Sequence, residues 1–271
     1  MNHSANSSRL TIPVFMVFRS TPHEIALGNA KGIRNVFLDV LLPLNNADFM
    51  NDSPGTEGYV AFFDILGYRE MTHAGDFGRV IKILKEAKCH VQRVKHKLQN
   101  CEVRMFADSV LVFCFGETPD LTEEAALLEF AAYSRYLFES MFKSGMPMRG
   151  AIAKGKFYSD SDFFAGRPIN EAYEYSNSLD FAGCVLAPSA ENLCVGHQFD
   201  TEDYMFALLD VPLKTQGKQK MFVLKHCLAI DRCSIREAFE AHGKTIGPSV
   251  MSKFNNTVAI LGATKQSRMP S

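Results

Sequence analysis

No stretch of the 271-residue sequence stays apolar for the roughly 20 residues that a membrane-spanning helix needs. The nearest run, Ile12–Phe18, is interrupted by Pro13 and stopped by Arg19. It also makes a poor secretory leader, with Arg9 as its early basic residue and no small-residue cleavage site behind it. An excess of charge of one sign is missing too. Lys and Arg number 29 against 30 Asp and Glu, a formal net charge of −1. That excludes a protein held on nucleic acid by bulk phosphate attraction, but not a local basic pocket for a small phosphorylated ligand. Paired-cysteine spacing is absent as well. Cys89, Cys101, Cys114, Cys184, Cys194, Cys227 and Cys233 form no CxxC and no Cys/His zinc pattern. An odd count in a chain this long argues against a disulfide framework and for reduced thiols in the cytoplasm. What is there is ordinary: 46% hydrophobic and 22% charged residues exclude general disorder. The length suits one large domain or two small ones.

Residues 1–57 differ from the rest of the chain. Met1–Ser8 is polar, Thr11–Phe18 and Val36–Leu44 are apolar, and Asn45–Glu57 is rich in turn formers, including Ser53-Pro54-Gly55. This part is read as an N-terminal extension and linker, with Met50 expected to be the true start. From Tyr59 the pattern sharpens. Tyr59–Leu66 reads as a buried strand carrying one carboxylate, and Asp76–Leu98 has apolar residues at helical spacing. Val103–Phe106 and Val110–Phe115 read as strands of a hairpin turning at Ala107-Asp108-Ser109. Thr122–Met141 is a helix with Thr122 as N-cap. Met148–Phe157 is a strand, Ile169–Ser176 a helix and Cys184–Ala187 a strand. Phe206–Val211 and Lys220–Leu224 make a second hairpin, and Ser234–Ala241 and Val250–Leu261 are helices. The expected class is α+β, with a ferredoxin-like β-α-β-β-α-β core, an added C-terminal α-β and β-hairpin, and a helical tail. Residues 58–225 form the predicted main domain and 226–271 the tail, which carries no chemical motif.

A few residues stand out chemically. Asp64 sits between Phe63 and Ile65 in an apolar strand, where a carboxylate faces desolvation unless paired or bound to a cation. Asp108 lies at the tip of an apolar hairpin. In a ferredoxin-like sheet the two can converge at one sheet end, which suits a magnesium or manganese pair bridging phosphates. Read alone, Asp108 is as readily a turn residue, and Asp64 a strand-end residue facing water. Arg149, beside Gly150, is a phosphate fork or a surface ion-pair residue. Asn170 falls in the first turn of a helix preorganised by Pro168, a place that attracts anions and also favours simple capping. Lys214 and Lys218 bracket the late hairpin turn, where solubilising lysines are common.

Together DILGY (Asp64–Tyr68), FADS (Phe106–Ser109), MRGAIAKG (Met148–Gly155), GRPINEAYE (Gly166–Glu174) and GCVLAPS (Gly183–Ser189) resemble the class III nucleotide cyclase catalytic domain over residues 58–225. Within it, the wording is most similar to the pyrimidine cyclases of Pycsar anti-phage defence, which make cyclic UMP or cyclic CMP. The resemblance implies that Asp64, Asp108 and the Ile65 carbonyl hold two Mn²⁺ or Mg²⁺ ions. It implies that Arg149 contacts the triphosphate, Asn170 positions the ribose, and Lys214 or Lys218 binds phosphate. Arg104 falls at a base-reading position and Tyr68 beside the metal site. It further implies a head-to-tail homodimer with shared sites, a nucleoside triphosphate substrate, and a separate effector, a TIR or membrane protein, responding to the product.

Two departures bear on activity. Purine cyclases carry an arginine four residues after the asparagine; this chain has Glu174. The acidic base-reading position seven residues before Asn170 is Phe163, with Asp162 next to it. The expectation is therefore a UTP or CTP cyclase. A cyclase-like nucleotide-binding module without turnover and a purine cyclase with an unusual pocket are the alternatives.

Overall fold

The computed structural model describes residues 55–266 except 75–76, 94–97, 99, 116–119, 161–162, 195–204, 216 and 227–230. The Met50 start and the expected linker up to Pro54 lie outside the described residues, as do Asp162 and Cys227, whereas Thr56 and Glu57, expected in the linker, already belong to the first strand, paired with Phe157 and Lys156. The chain divides into two compact units. The larger is Gly55–Tyr158 with Ala165–Ser271; the smaller is Met1–Pro54 with Ser159–Phe164. In the smaller unit the described residues make a tight turn, in which the Phe163 N–H donates to Asp160 Oδ1 (2.9 Å) and the Asp160 N–H to the Phe163 carbonyl (3.0 Å).

The elements run β1 (Thr56–Ile65), α1 (Tyr68–His73), α2 (Phe77–Arg93), β2 (Cys101–Phe106), β3 (Ser109–Phe115), α3 (Glu123–Lys143) and β4 (Met148–Ser159). Then come β5 (Phe164–Gly166), α4 (Arg167–Ser178), β6 (Gly183–Leu186), α5 (Pro188–Glu191), β7 (Phe206–Leu213), β8 (Gly217–Leu224), α6 (Arg232–Glu240) and α7 (Pro248–Gln266). Strand order is β2-β3-β1-β4-β6-β8-β7. The first four strands pair antiparallel as β4-β1-β3-β2, which is the ferredoxin-like arrangement expected from the sequence. β6 joins β4 in parallel and carries the β7–β8 hairpin antiparallel beyond it. Anticipated elements are present, most of them longer than their patterns suggested. Two short helices, α1 and α5, were not anticipated. α1 can begin directly behind β1 because Gly67 takes a left-handed turn (φ 76°) that a side chain would resist.

Alternation along β1 explains the placement of Asp64. Tyr59, Ala61, Phe63 and Ile65 point into the main core with Val103, Val110, Val112, Met148 and Ile152. The apolar stripe of α2 (Val80, Leu84, Ala87, Val91) and the buried face of α3 cover that side. α3 starts where its chemistry says it should: Thr122 Oγ1 accepts from the Ala125 N–H (3.2 Å), with Glu123 and Glu124 in the first turn. Residues one step out of phase, Phe62 and Asp64, therefore face the opposite side of the sheet. There α4 crosses, with the Tyr173 ring edge-on to Phe62 at 5.2 Å. A second core of Ala151, Leu179, Phe181, Val185, Val211, Met221, Val223 and Ile260 fills that side further along the sheet.

Candidate active site

The C-terminal end of β1 is where three chain segments meet. By strand register Asp64 lies directly opposite Ser109 on β3 and Arg149 on β4. The Ile65 N–H donates to the Asp108 carbonyl (2.7 Å), closing the hairpin tip against β1. Asp64, Ile65 and Asp108 thus share one sheet end although 44 positions separate the carboxylates in sequence. They also sense each other: the Asp108 charge is among the influences that push the Asp64 carboxyl up.

Arg149 is buried, and its guanidinium is fully engaged. Nε and Nη2 reach Asp64 Oδ2 at 2.7 and 2.5 Å. Nη1 donates to the carbonyls of Leu179 (3.2 Å) and Asn177 (3.4 Å), and Nη2 to Asn177 Oδ1 (3.2 Å). The Arg149 carbonyl accepts from Ser176 Oγ (3.2 Å). Burial dominates at Asp64 and raises its carboxyl above the ordinary range in spite of the neighbouring guanidinium. Both Arg149 nitrogens use the same oxygen, so Oδ1 takes no part in the pair. Asp64 Oδ1, the Asp108 carboxylate and the Ile65 carbonyl make a hard-oxygen donor set, and that set fits a Mg²⁺ or Mn²⁺ ion. Among the described residues no cluster of three or more His, Cys, Asp or Glu side chains occurs, so any cation here would rest on two carboxylates, a carbonyl and the substrate itself.

Lys214 also belongs to this end. It directly follows β7, and its N–H donates to the Ser178 carbonyl (2.9 Å). Burial and the charges of Arg149 and Lys253 lower its ammonium, while Asp64 and Asp180 act the other way. Other expected residues lie elsewhere on the same chain. Arg104, on β2, pairs with Glu102 (3.3 Å) and stacks over Phe113, 5.2 Å from the ring centroid. Lys218 is exposed on β8, opposite Pro212. Tyr68 packs against the main core. Asn170 is exposed in α4. It shares a helical stripe with Tyr173 and Asn177, but seven residues separate it from Asn177, about 10 Å along the axis. Only the far end of that stripe touches Arg149. Glu174 is exposed on the same helix.

Three residues here carried no signal in the sequence. Asn177 anchors Arg149. Asp180 follows the Leu179 carbonyl that Arg149 uses, and it is held by α7: Ser252 Oγ donates to Asp180 Oδ2 (2.7 Å), and Asn256 Nδ2 donates to the Asp180 carbonyl (3.0 Å) and Oδ2 (2.9 Å). Half-buried Lys253, between them on α7, feels Arg149, Asp180 and Asp64. The C-terminal helix is thus docked against this end of the sheet. No linear pattern could have revealed that, because it depends on where α7 returns in space.

No known family model matches this sequence, and no curated protein matches it either. Among solved structures, three are similar to this chain at low identity. The guanylate cyclase domain of RhGC from Catenaria anguillulae, in complex with GTP, is 14% identical, with 63% of this chain and 97% of that chain covered and a TM-score of 0.45. The adenylyl cyclase CyaB from P. aeruginosa is 14% identical, with 65% and 97% covered and a TM-score of 0.47. A class III adenylyl cyclase-like ATP-binding protein from Pseudomonas aeruginosa is 15% identical, with 51% and 35% covered and a TM-score of 0.39. All three TM-scores lie below 0.5 and all three identities below 25%.

Proposed function

We propose that this chain is a metal-dependent nucleotidyl cyclase that converts UTP or CTP to the 3′,5′-cyclic nucleotide and pyrophosphate. The observation that carries this reading is the meeting of Asp64, Asp108 and the Ile65 carbonyl at one end of a ferredoxin-like sheet. Asp64, Ile65 and Asp108 would hold two divalent ions, which when bound supply Lewis-acid charge to the triphosphate and ease loss of the ribose 3′-proton. The chain's own part is positioning and charge. Arg149 orients Asp64 and adds positive charge behind it. Lys214, in the same field, is favoured over Lys218 for the triphosphate. Asn170 would hold the ribose and Arg104 the base; neither reaches its own Asp64, which supports a homodimer with sites shared between two copies. Tyr68 would wall the nucleotide pocket. The 3′-oxygen then displaces pyrophosphate from the α-phosphorus in line.

The biological setting proposed with this activity is anti-phage defence, in which the cyclic pyrimidine nucleotide signals to a separate TIR or membrane effector. No helix among the described residues is long and apolar enough to cross a membrane. A second reading, nucleotide binding without turnover, draws on two observations. The Arg149 guanidinium is spent on protein partners, and position 174 offers a carboxylate where purine cyclases offer a cation.

The test is product analysis with Mn²⁺ and each of the four ribonucleoside triphosphates, with Asp108→Ala as control. Cyclic UMP or cyclic CMP, lost in the variant, is the expected result. Cyclic AMP or cyclic GMP would move the enzyme to the purine class. No product from any triphosphate would refute turnover and leave the binding module.

A further inference from the structure

A hydrogen-bonded chain runs from the candidate metal site to the C-terminal helix. Asp64 grips Arg149 and Arg149 grips the Leu179 carbonyl. The next residue, Asp180, is clamped by Ser252 and Asn256 of α7. Thr257 Oγ1 ties the two further, donating to the Lys253 carbonyl (2.7 Å) and accepting from the Ala182 N–H (2.8 Å). This clamp fixes the backbone of Lys253 against the site end of the sheet. Its side chain is half-buried and, among the described residues, closes no ion pair with a carboxylate.

The charges there leave a role open. Arg149 acts on both Lys214 and Lys253, and Lys253 acts on Lys214, at this end of the molecule. Arg149 is neutralised by Asp64 at contact distance. Asp180 is satisfied by two α7 side chains rather than by a lysine. Lys253, half-buried, and Lys214, exposed, carry like charges in the field of Arg149, with Asp64 and Asp180 acting the other way, and an anion bound among them would relieve the repulsion. A divalent ion on Asp64 and Asp108 would strengthen that demand by neutralising the carboxylates. A polyphosphate supplies the matching charge.

We propose that Lys253 is a triphosphate-binding residue, and that α7 belongs to the wall of the nucleotide site, contributing there the cation that position 174 lacks. This deepens the cyclase reading and rests on it for the identity of the nucleotide, but not for the anion. Lys253 acts with Lys214 on the phosphates, while Asp180, Ser252 and Asn256 are positioning residues that hold the helix in register. The tail is then part of the catalytic unit rather than an appendage.

Inorganic tripolyphosphate with Mn²⁺ is the probe, because it carries the charge without the base or the chemistry. Calorimetric titration of the full chain should show binding that weakens at least tenfold in Lys253→Gln and returns to within about threefold of wild type in Lys253→Arg. Adding Glu174→Arg to Lys253→Gln should restore part of the loss by offering a cation from α4. Thermal unfolding of each variant within a few degrees of wild type separates lost binding from lost fold. Equal binding by Lys253→Gln and wild type, or no binding by wild type, overturns the proposal. If tripolyphosphate binding depends on Lys253 but no triphosphate is cyclised, this inference stands and the cyclase reading falls. If cyclisation occurs and Lys253→Gln leaves its KM and kcat unchanged, the reverse holds.

Discussion

The Asp64–Arg149 pair gives the sharpest energetic test, because the structure sets two opposing magnitudes against each other. The side chains are 17% and 9% exposed. Two unit charges about 4 Å apart at an effective dielectric near 20 attract by about 4 kcal/mol. Burial nevertheless raises the Asp64 carboxyl, so desolvation outweighs that attraction. Arg149→Met keeps the stem and removes the charge. It strands a half-buried carboxylate and also leaves the Leu179 and Asn177 carbonyls without their donor, at a cost of about 3–5 kcal/mol. Asp64→Asn should cost less, and adding it to Arg149→Met should recover about 2 kcal/mol, since no charge is then stranded. Equilibrium urea unfolding of the four proteins at pH 7 in EDTA measures this cycle. The gap between Arg149→Met and wild type should also narrow from pH 7 to pH 5. Without the guanidinium the folded Asp64 pKa rises further above its unfolded value, so falling pH protonates the folded carboxyl and relieves the stranded charge. Additive energies within about 0.5 kcal/mol, or a gap independent of pH, would refute the reasoning.

Lys244 is buried, its Nζ donating to the carbonyls of Gly145 (2.7 Å) and Ala238 (2.9 Å), and burial lowers its ammonium to about 8. The unfolded chain, near 10.5, holds its proton longer, so folding stability should rise as pH climbs from about 8 to 9.5, and Lys244→Met should flatten that slope in pH-dependent urea titrations. Well below pH 8 the buried charge persists and this relief is absent. A Cβ added at Gly150 would run into the Phe63 ring and come within 2.8 Å of the Phe62 carbonyl; Gly150→Ala should therefore cost about 1–3 kcal/mol in chemical denaturation. In the opposite direction, Ala107 sits at φ 52° in the hairpin turn beside Asp108, and Ala107→Gly should gain up to about 1 kcal/mol by relieving that left-handed conformation. Thr122→Ala removes the α3 cap and should lose about 1 kcal/mol, read as a lower melting temperature.

Much of the fold was legible because its signals are local. The short apolar run Tyr59–Leu66, helical spacing in the stretch that became α2, and a cap at Thr122 act within a few residues of each other, and β1, α2 and α3 formed on those patterns, although α2 is described only to Arg93, short of the expected Leu98. The short helices were not legible. α1 depends on the left-handed Gly67, and α5 is one turn anchored by Pro188, too short for any periodicity to show. Of the candidate residues, Asp64 and Asp108 announced themselves as carboxylates in apolar surroundings, and Arg149 as a cation beside a glycine at a strand start. What Arg149 binds was not legible. Its partners come from β1 and from the end of α4, at sequence separations of 85, 28 and 30 residues.

The sequence by itself determined which residues alternate to which face, where the chain turns, and that a charged carboxylate would be set into a buried strand. Those outcomes follow from backbone geometry and short-range sterics, which act on neighbours in the chain. Tertiary structure alone decided that Arg149 spends its guanidinium on Asp64 and that Asn170 stands two helical turns from the only stretch of α4 touching Arg149. It also decided that α7 returns to hold Asp180 through Ser252 and Asn256. Each of these depends on strand order and helix docking, where burial strengthens or penalises a charge according to what the fold brings within a few ångströms of it.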